Sequence, residues 1–329
     1  MLTRYRDERE RLEHELLAPE ATKASESQGR AEHETPDTYR TDFERDRDRV
    51  VHSKAFRRLK HKTQVFLNPE GDHYVTRLTH TLQVTQVGRA MAAALGLNET
   101  LTEAICLAHD VGHSPFGHTG EDALSPYTHG EWLHSAHGVR TLSILEPLNL
   151  THEVLDGVRA HSWKIDPPPS TAEGLLCRFA DRIGYLTHDV ADALRAGVVD
   201  YQHLPTRALT TFGATSREWI DAMITSVIET SAAEGSVTID PDVLEVMDEL
   251  RNFMFERVYL SPQMDDEKNR AIKVIRDLVE YFSHHPDEVP DSYTVGGADS
   301  LTRAVDYVAG MTDRYALRTH DLLFRPALF

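Results

Sequence analysis

Nineteen histidines stand in this chain of 329 residues, and ten of them fall between His52 and His137. Imidazole is both a metal ligand and the side chain whose charge changes nearest neutral pH, so this stretch is where chemistry is to be sought. Its most distinctive pair is His109 and Asp110, in AICLAHDVGHSPFGHTGEDAL, at the C-terminal end of an apolar helical pattern. Adjacent side chains on a regular helix point in different directions, so such a pair grips one ion only where the backbone bends around it. Gly112, Pro115 and Gly117 permit that bend. His80, in RLTHTLQVTQVGRAMAAAL, is in phase with Val84, Val87 and Met91 and faces inward. Asp181 is flanked by Phe179, Ala180 and Ile183. A carboxylate on an apolar face is costly unless it is paired or bound to a cation. Two imidazoles and two carboxylates suit one divalent ion, Mn, Mg, Fe, Ni or Zn, with positions left for water and phosphate oxygens. Taken singly, each residue has a plainer reading: His80 as a satisfied core histidine, Asp181 as a partner of Arg182 or Arg178.

Three further groupings bear chemistry. His113, His118 and His134, with Glu121, are candidates for proton transfer. His118 and Glu121 are three apart at a helix start, close enough for the carboxylate to orient the imidazole. Glu121 as a simple helix N-terminal charge is the alternative. Arg57, Arg58, Lys60 and Lys62 form a basic island in SKAFRRLKHKTQVF, and Arg77 precedes His80 by three residues, on one helical face if the helix has begun there. Asp181, Tyr185 and Asp189 recur at i, i+4 and i+8, so one face presents a carboxylate, an aromatic plane and a second carboxylate. Asp189 could equally pair with Arg195 or face solvent.

The elements that must carry these residues are helices. Apolar residues recur three and four apart in 78–95, 101–108, 134–146, 152–160, 171–197, 217–229, 242–259, 268–282 and 301–310, which predicts an all-α protein. Only residues 73–76 suggest a hairpin arm. Gly96 ends one helix and Asn98 caps the next; Ser170 with Glu173 reads as a capping box, and Asp240 with Pro241 as an N-cap followed by proline at N1. A charged helix at 5–16 leads into a polar arm at 17–40. The expected organisation is therefore an N-terminal helix and arm (1–41), a metal- and nucleotide-binding core (42–200) and a C-terminal helical region (201–329).

Net charge is −18, which disfavours a general nucleic-acid coat, so any phosphate site must be a local basic island. Two cysteines, Cys106 and Cys177, cannot make a disulfide framework and fit a reducing cytoplasm. The N-terminus carries no apolar h-region, and the longest apolar stretch, near Ala90 to Leu97, is far short of a membrane span, so neither export nor membrane insertion is expected.

Several blocks are long and distinctive: YRTDFERDRDRVVHSKAFRRLKHKTQVF at 39–66, RLTHTLQVTQVGR, HDVGHSPFGHTGEDAL, LNLTHEVLDGVRAHS, FADRIGYLTHDVADALRAG, and DYVAGMTDRYA at 306–316. In these the chain resembles the HD-domain metal-dependent phosphohydrolases, and within them the deoxyguanosine-triphosphate triphosphohydrolase-like proteins. The resemblance implies an HD-type helical fold with additional C-terminal helices, holding one divalent metal through His80, His109, Asp110 and Asp181. It implies hydrolysis of a deoxynucleoside triphosphate (dNTP) to deoxynucleoside and inorganic triphosphate, with water attacking the α-phosphorus. His118 and Glu121 match the family's catalytic pair, His134 lies near the phosphates, and Arg77 contacts the phosphate chain. By the same resemblance Tyr185 is expected to pack on the deoxyribose, Asp189 to accept from the 3′-hydroxyl, and Gln64 to contact sugar or base. Homo-oligomers, hexamers or tetramers, and activation by dNTPs or single-stranded DNA are implied as well. Ser114 stands where the family carries proline, and Ser135 and His137 where it tends to show asparagine and glutamine. Two other readings compete: a dNTP-binding regulator with little turnover, and a phosphodiesterase acting on cyclic or alarmone nucleotides, against which the Tyr185 platform argues.

Overall fold

Where apolar residues recur at helical spacing, helices form. The computed structural model describes residues 3–64, 74–259 and 265–326. The helices are α1 Arg6–Leu16, α2 Asp42–His52, α3 Lys54–Arg58, α4 Arg77–Leu95, α5 Glu99–Ala108, α6 His118–Leu124, α7 His134–Arg140 and α8 His152–Ala160. They continue with α9 Ala172–Arg195, α10 Thr206–Phe212, α11 Ser216–Glu234, α12 Pro241–Met254, α13 Asp265–His284, α14 Ser300–Ala309 and α15 Asp313–Phe324. Among the described residues there is no sheet, only isolated bridges between Arg30 and Thr151 and between Thr63 and Thr76, so the protein is all-α as its periodicity predicts. Residue 73 of the expected 73–76 arm lies outside the described residues.

Backbone contacts divide the chain into two units, one from residues 1–52, 80–109 and 148–261, the other from 53–79, 110–147 and 262–329. In the first, α5 is buried at Leu101, Thr102, Ala104, Ile105, Cys106, Leu107 and Ala108 and packs against α2, α8 and α9, with Glu99 left exposed at its start. Close approach by α4 and α9 depends on two glycines. A Cβ on Gly88 would lie 2.9 Å from Cys106 Sγ, and one on Gly184 would lie 2.9 Å from Val84 Cγ2 and 3.4 Å from the His80 ring. The polar segment 17–40 is held down rather than loose. Glu153 accepts from Ser27 and Gln28, and Arg30 pairs with Asp42 and the fully buried Asp46.

The predicted caps mostly form: Asn98 accepts from Thr100 and Leu101, and Asp240, followed by Pro241, accepts from Asp242 and Val243. The Ser170–Glu173 box does not. Thr171 caps α9 through Gly174 N, while Glu173 takes the backbone N–H groups of Thr22 and Asn98, each at 3.0 Å. Those donors are enclosed with no helical partner, and a buried carboxylate satisfies them better than a box would.

In the second unit, Phe116, Leu124 and Trp132 pack with Ile275, Leu278, Val279 and Phe282 of α13, Val308 of α14 and Ala316 of α15. This apolar mass seats the 110–118 turn and α6. In the first unit Ile105 is fully buried on the central helix. Replacing it with alanine is expected to cost about 2–5 kcal/mol, read as a lower denaturant midpoint with an unchanged slope; a cost below about 1 kcal/mol would contradict the placement of α5 at the centre.

Candidate active site and metal centre

The helix α5 ends at Ala108, and His109 follows as its C-cap. The ring Nδ1 of His109 lies 2.6 Å from the Cys106 carbonyl oxygen. A carbonyl only accepts, so Nδ1 carries the hydrogen and Nε2 the lone pair of the neutral ring. That Nε2 lies 3.6 Å from Asp181 Oδ1, and His80 Nε2 lies 3.1 Å from the same oxygen. His80 could close an ordinary hydrogen bond there. The neutral form of His109 could not: a lone pair against a carboxylate oxygen is repulsive unless positive charge lies between them. The plainer partners of Asp181 are engaged elsewhere, since Arg182 pairs with Asp248 and Arg178 donates to the carbonyls of Ser162 and Ile165. Burial works to raise the Asp181 pKa, and the two imidazoles outweigh it and hold the carboxyl well below the usual range. Two imidazole nitrogens and a carboxylate oxygen aimed at one another make a donor set that fits a divalent cation.

In the second unit, Asp110 accepts from Arg77 Nη1 at 3.0 Å and lies 3.1 Å from His113 Nε2. The helix α4 does begin at Arg77, but there the guanidinium is paired with Asp110; its buried Nε has no hydrogen-bond partner among the described residues. Glu121 gathers three rings. Its Oε1 lies 2.7 Å from His134 Nδ1 and 3.2 Å from His113 Nδ1, and its Oε2 lies 3.2 Å from His118 Nδ1. His113 and His134 stack at 3.8 Å. His118 is 73% exposed, whereas His113 and Glu121 are buried. The turn that presents this cluster is held at Phe116, whose φ is 62°, a costly backbone for a bulky residue. Asp313 secures it by accepting from Phe116 N at 3.0 Å and Thr63 N at 2.8 Å. Lys62, its pKa pushed down to about 7 chiefly by burial, donates to the carbonyl of His113. Ser114 closes the turn through Gly117 O, and His137, one of the departures from the family pattern, meets Gly112 O and Asp306.

The helix α9 sets Tyr185 and Asp189 one and two turns beyond Asp181. Burial pushes the Tyr185 phenol up to about 12. Asp189 is buried and accepts from Tyr259 Oη at 2.5 Å. Arg58 lines a cavity of about 80 Å³ with Lys54, Lys62, Tyr293 and Asp306. Arg57 is exposed on the short α3. Gln64 Oε1 is enclosed with no hydrogen-bond partner among the described residues.

Residues 77–193 match the HD domain, and residues 237–322 match the phosphohydrolase-associated domain. A deoxyguanosinetriphosphate triphosphohydrolase-like protein of Caldanaerobacter subterraneus subsp. tengcongensis is 44% identical over 98% of this chain and 97% of its own. Relatives of the same description in Desulfatibacillum aliphaticivorans and Clostridium perfringens are 42% and 40% identical, each over 98% of both chains. The chain belongs to the deoxyguanosinetriphosphate triphosphohydrolase-like family. It is thus an HD-domain phosphohydrolase in fold and family. A solved hypothetical protein from Aquifex aeolicus is 22% identical, with a TM-score of 0.47 over 85% of this chain and 68% of that one.

For this family member, sequence reasoning missed four residues. Tyr259 ends a π-helical turn at Phe255–Tyr259, a feature with no signal beyond an aromatic at helical spacing. Asp313 was visible only as part of a distinctive block. Trp163 stacks under Arg178 and Arg182 at 5.3 and 4.9 Å, and His161 sets its ring edge-on to His109 at 5.2 Å. Both lie in a loop without periodicity.

Electrostatics split the quartet. Burial, then Arg77 and His134, depress His113 well below its ordinary value, favouring a neutral ring. Packing opposes the His118 imidazolium, but Glu121 outweighs it and raises that pKa. Burial opposes the Glu121 carboxylate, but His134 and His118 outweigh it and hold it well below its ordinary value. The signs follow by linkage. Glu121, depressed, contributes stability that is complete above its ordinary 4.5 and lost as pH falls through its lowered value. His118, raised, contributes stability that is complete below its ordinary 6.5 and lost as pH rises through its raised value. The variant E121Q is therefore expected to lose most stability between pH 4.5 and 6.5 and less above, measured by denaturant titration across pH; a difference independent of pH would show that the carboxylate is not coupled to His118.

Proposed function

We propose that this protein is a metal-dependent dNTP triphosphohydrolase, converting a dNTP to deoxynucleoside and inorganic triphosphate. The supporting observation is His109, whose Nδ1 is committed to Cys106 and whose Nε2 faces the carboxylate that also meets His80. In this reading His80, His109, Asp110 and Asp181 hold one divalent cation, Mn, Mg, Fe, Ni or Zn. Asp110 enters as the residue following His109, with a carboxylate already ordered by Arg77 and His113. Such a cation, when bound, supplies Lewis-acid stabilisation of phosphate oxygens and activates water.

The chain's own residues do the rest. Water attacks the α-phosphorus, the bond to the 5′-oxygen breaks, and the phosphate chain leaves whole. His118, exposed and oriented by Glu121, gives the departing 5′-oxygen its proton, while the attacking water loses one to solvent. His134, against the Glu121 Oε1, holds that carboxylate ionised, and the neutral ring of His113 stacks on the His134 ring. Arg77, with Nε uncommitted, reaches phosphate while its Nη1 stays on Asp110. Arg57 and Arg58 are the secondary phosphate candidates, Arg58 from its own cavity. Tyr185 forms the sugar platform, Asp189 takes the 3′-hydroxyl with Tyr259 orienting its carboxylate, and Gln64 contacts sugar or base through its unpartnered oxygen. Assembly into hexamers or tetramers, activation by dNTPs or single-stranded DNA, and a cytoplasmic setting belong to the same reading on resemblance alone. Among the described residues no helix is long and apolar enough to cross a membrane.

Incubating the purified protein with each dNTP and with mixtures, across several divalent metals, is expected to release inorganic triphosphate and deoxynucleoside. Release of only pyrophosphate or orthophosphate would overturn the reaction, and tight dNTP binding without turnover would favour the regulator. H118A is expected to lower kcat about 10²–10⁴-fold with the cation on His80, His109, Asp110 and Asp181 retained. Y185A is expected to narrow the preference for dNTP over ribonucleotide by about tenfold or more, compared through kcat/KM; an unchanged ratio removes the sugar-platform role.

A further inference from the structure

His80, His109 and Asp181 belong to the first unit, and four other potential ligands belong to the second. The side chains of His113, His118, Glu121 and His134 each offer a donor atom, all within 4.8 Å of one another. Three are imidazoles and one is a carboxylate, a nitrogen-rich set unlike the two-nitrogen, two-oxygen set of the proposed catalytic ion. The arrangement is already drawn together by Glu121, with its oxygens 2.7–3.2 Å from three different Nδ1 atoms.

One member carries a valence problem. His113 is buried between two carboxylates, Nε2 at 3.1 Å from Asp110 and Nδ1 at 3.2 Å from Glu121. A neutral ring has one hydrogen, so if Nε2 donates to Asp110, Nδ1 brings only a lone pair toward Glu121. That buried Nδ1 has no hydrogen-bond partner among the described residues. A cation between Nδ1 and the carboxylate resolves the contact. Three imidazoles and a carboxylate match the tetrahedral preference of Zn²⁺, whereas Mg²⁺ and Mn²⁺ prefer oxygen donors. His118, the exposed member, has the freedom to swing in and complete the set.

We propose that His113, His118, Glu121 and His134 form a second metal site, selective for Zn²⁺ and similar borderline ions over Mg²⁺ and Mn²⁺. Occupancy takes the lone pairs and carboxylate that hold the proton on His118. Excess Zn²⁺ therefore inhibits, a consequence that rests on the proposed function, whereas the binding itself does not.

The test is metal stoichiometry on the full chain, stripped with chelator, dialysed against Zn²⁺ and measured by mass spectrometry. Wild-type protein is expected to hold two Zn²⁺ per chain, H118A/H134A one, and D181N one, with circular dichroism verifying the fold. The milder H118A is expected to weaken the second equivalent by about tenfold or more, even if the double variant misfolds. Co²⁺ in D181N is expected to give the intense visible bands of tetrahedral coordination. A single equivalent in wild type that D181N abolishes, or two equivalents retained in H118A/H134A, overturns the proposal. Neither result bears on triphosphate release, so the site and the proposed reaction fail separately.

Discussion

The hydrogen on His109 Nδ1 governs what the rest of this structure can do. Because the Cys106 carbonyl takes it, the ring presents a lone pair to the carboxylate of Asp181, and that contact is tolerable only with positive charge between the two. An imidazolium could supply the charge, but so could a metal ion, and His80 converges on the same oxygen. The backbone carbonyl thus fixes the tautomer, and the tautomer makes a ligand of what would otherwise be a core histidine.

The helices enforce this convergence by packing closely. With no side chain at Gly88 and Gly184, α4, α5 and α9 approach until Val84, Cys106 and His80 are within contact distance of the glycine backbones. The apolar residues of α5 from Leu101 to Ala108 are buried against α2, α8 and α9. Within the second unit the same logic runs through close polar contacts. Arg77, Asp110, His113 and Glu121 form a continuous chain of contacts ending on His118 and His134, so the carboxylate that orients the proton donor is itself fixed.

Much of this was legible in the amino acids. Helical periodicity located nearly every long helix, and the inward phase of His80 and the apolar flanks of Asp181 marked them as unusual before any coordinate was known. Spacing also placed His118 and Glu121 on one turn, where they lie 3.2 Å apart. What was not legible depends on distant partners. Glu173 three residues after Ser170 has the local signature of a capping box, yet two unsatisfied amides from Thr22 and Asn98 claim it. Asp313 lies 197 residues from the Phe116 amide it secures, and Tyr259 lies 70 from Asp189. No periodicity reports such pairings. The anchoring of the 17–40 arm by Asp46 and Glu153 was not legible for the same reason, since its polar composition gives no hint of those partners.

Electron–nuclear double resonance on Mn²⁺-loaded protein carrying ¹⁵N-labelled histidine tests the metal centre most directly. The account predicts two strongly coupled imidazole nitrogens, reduced to one in H80N. Absence of any coupled histidine nitrogen, or an unchanged pair in H80N, would contradict it.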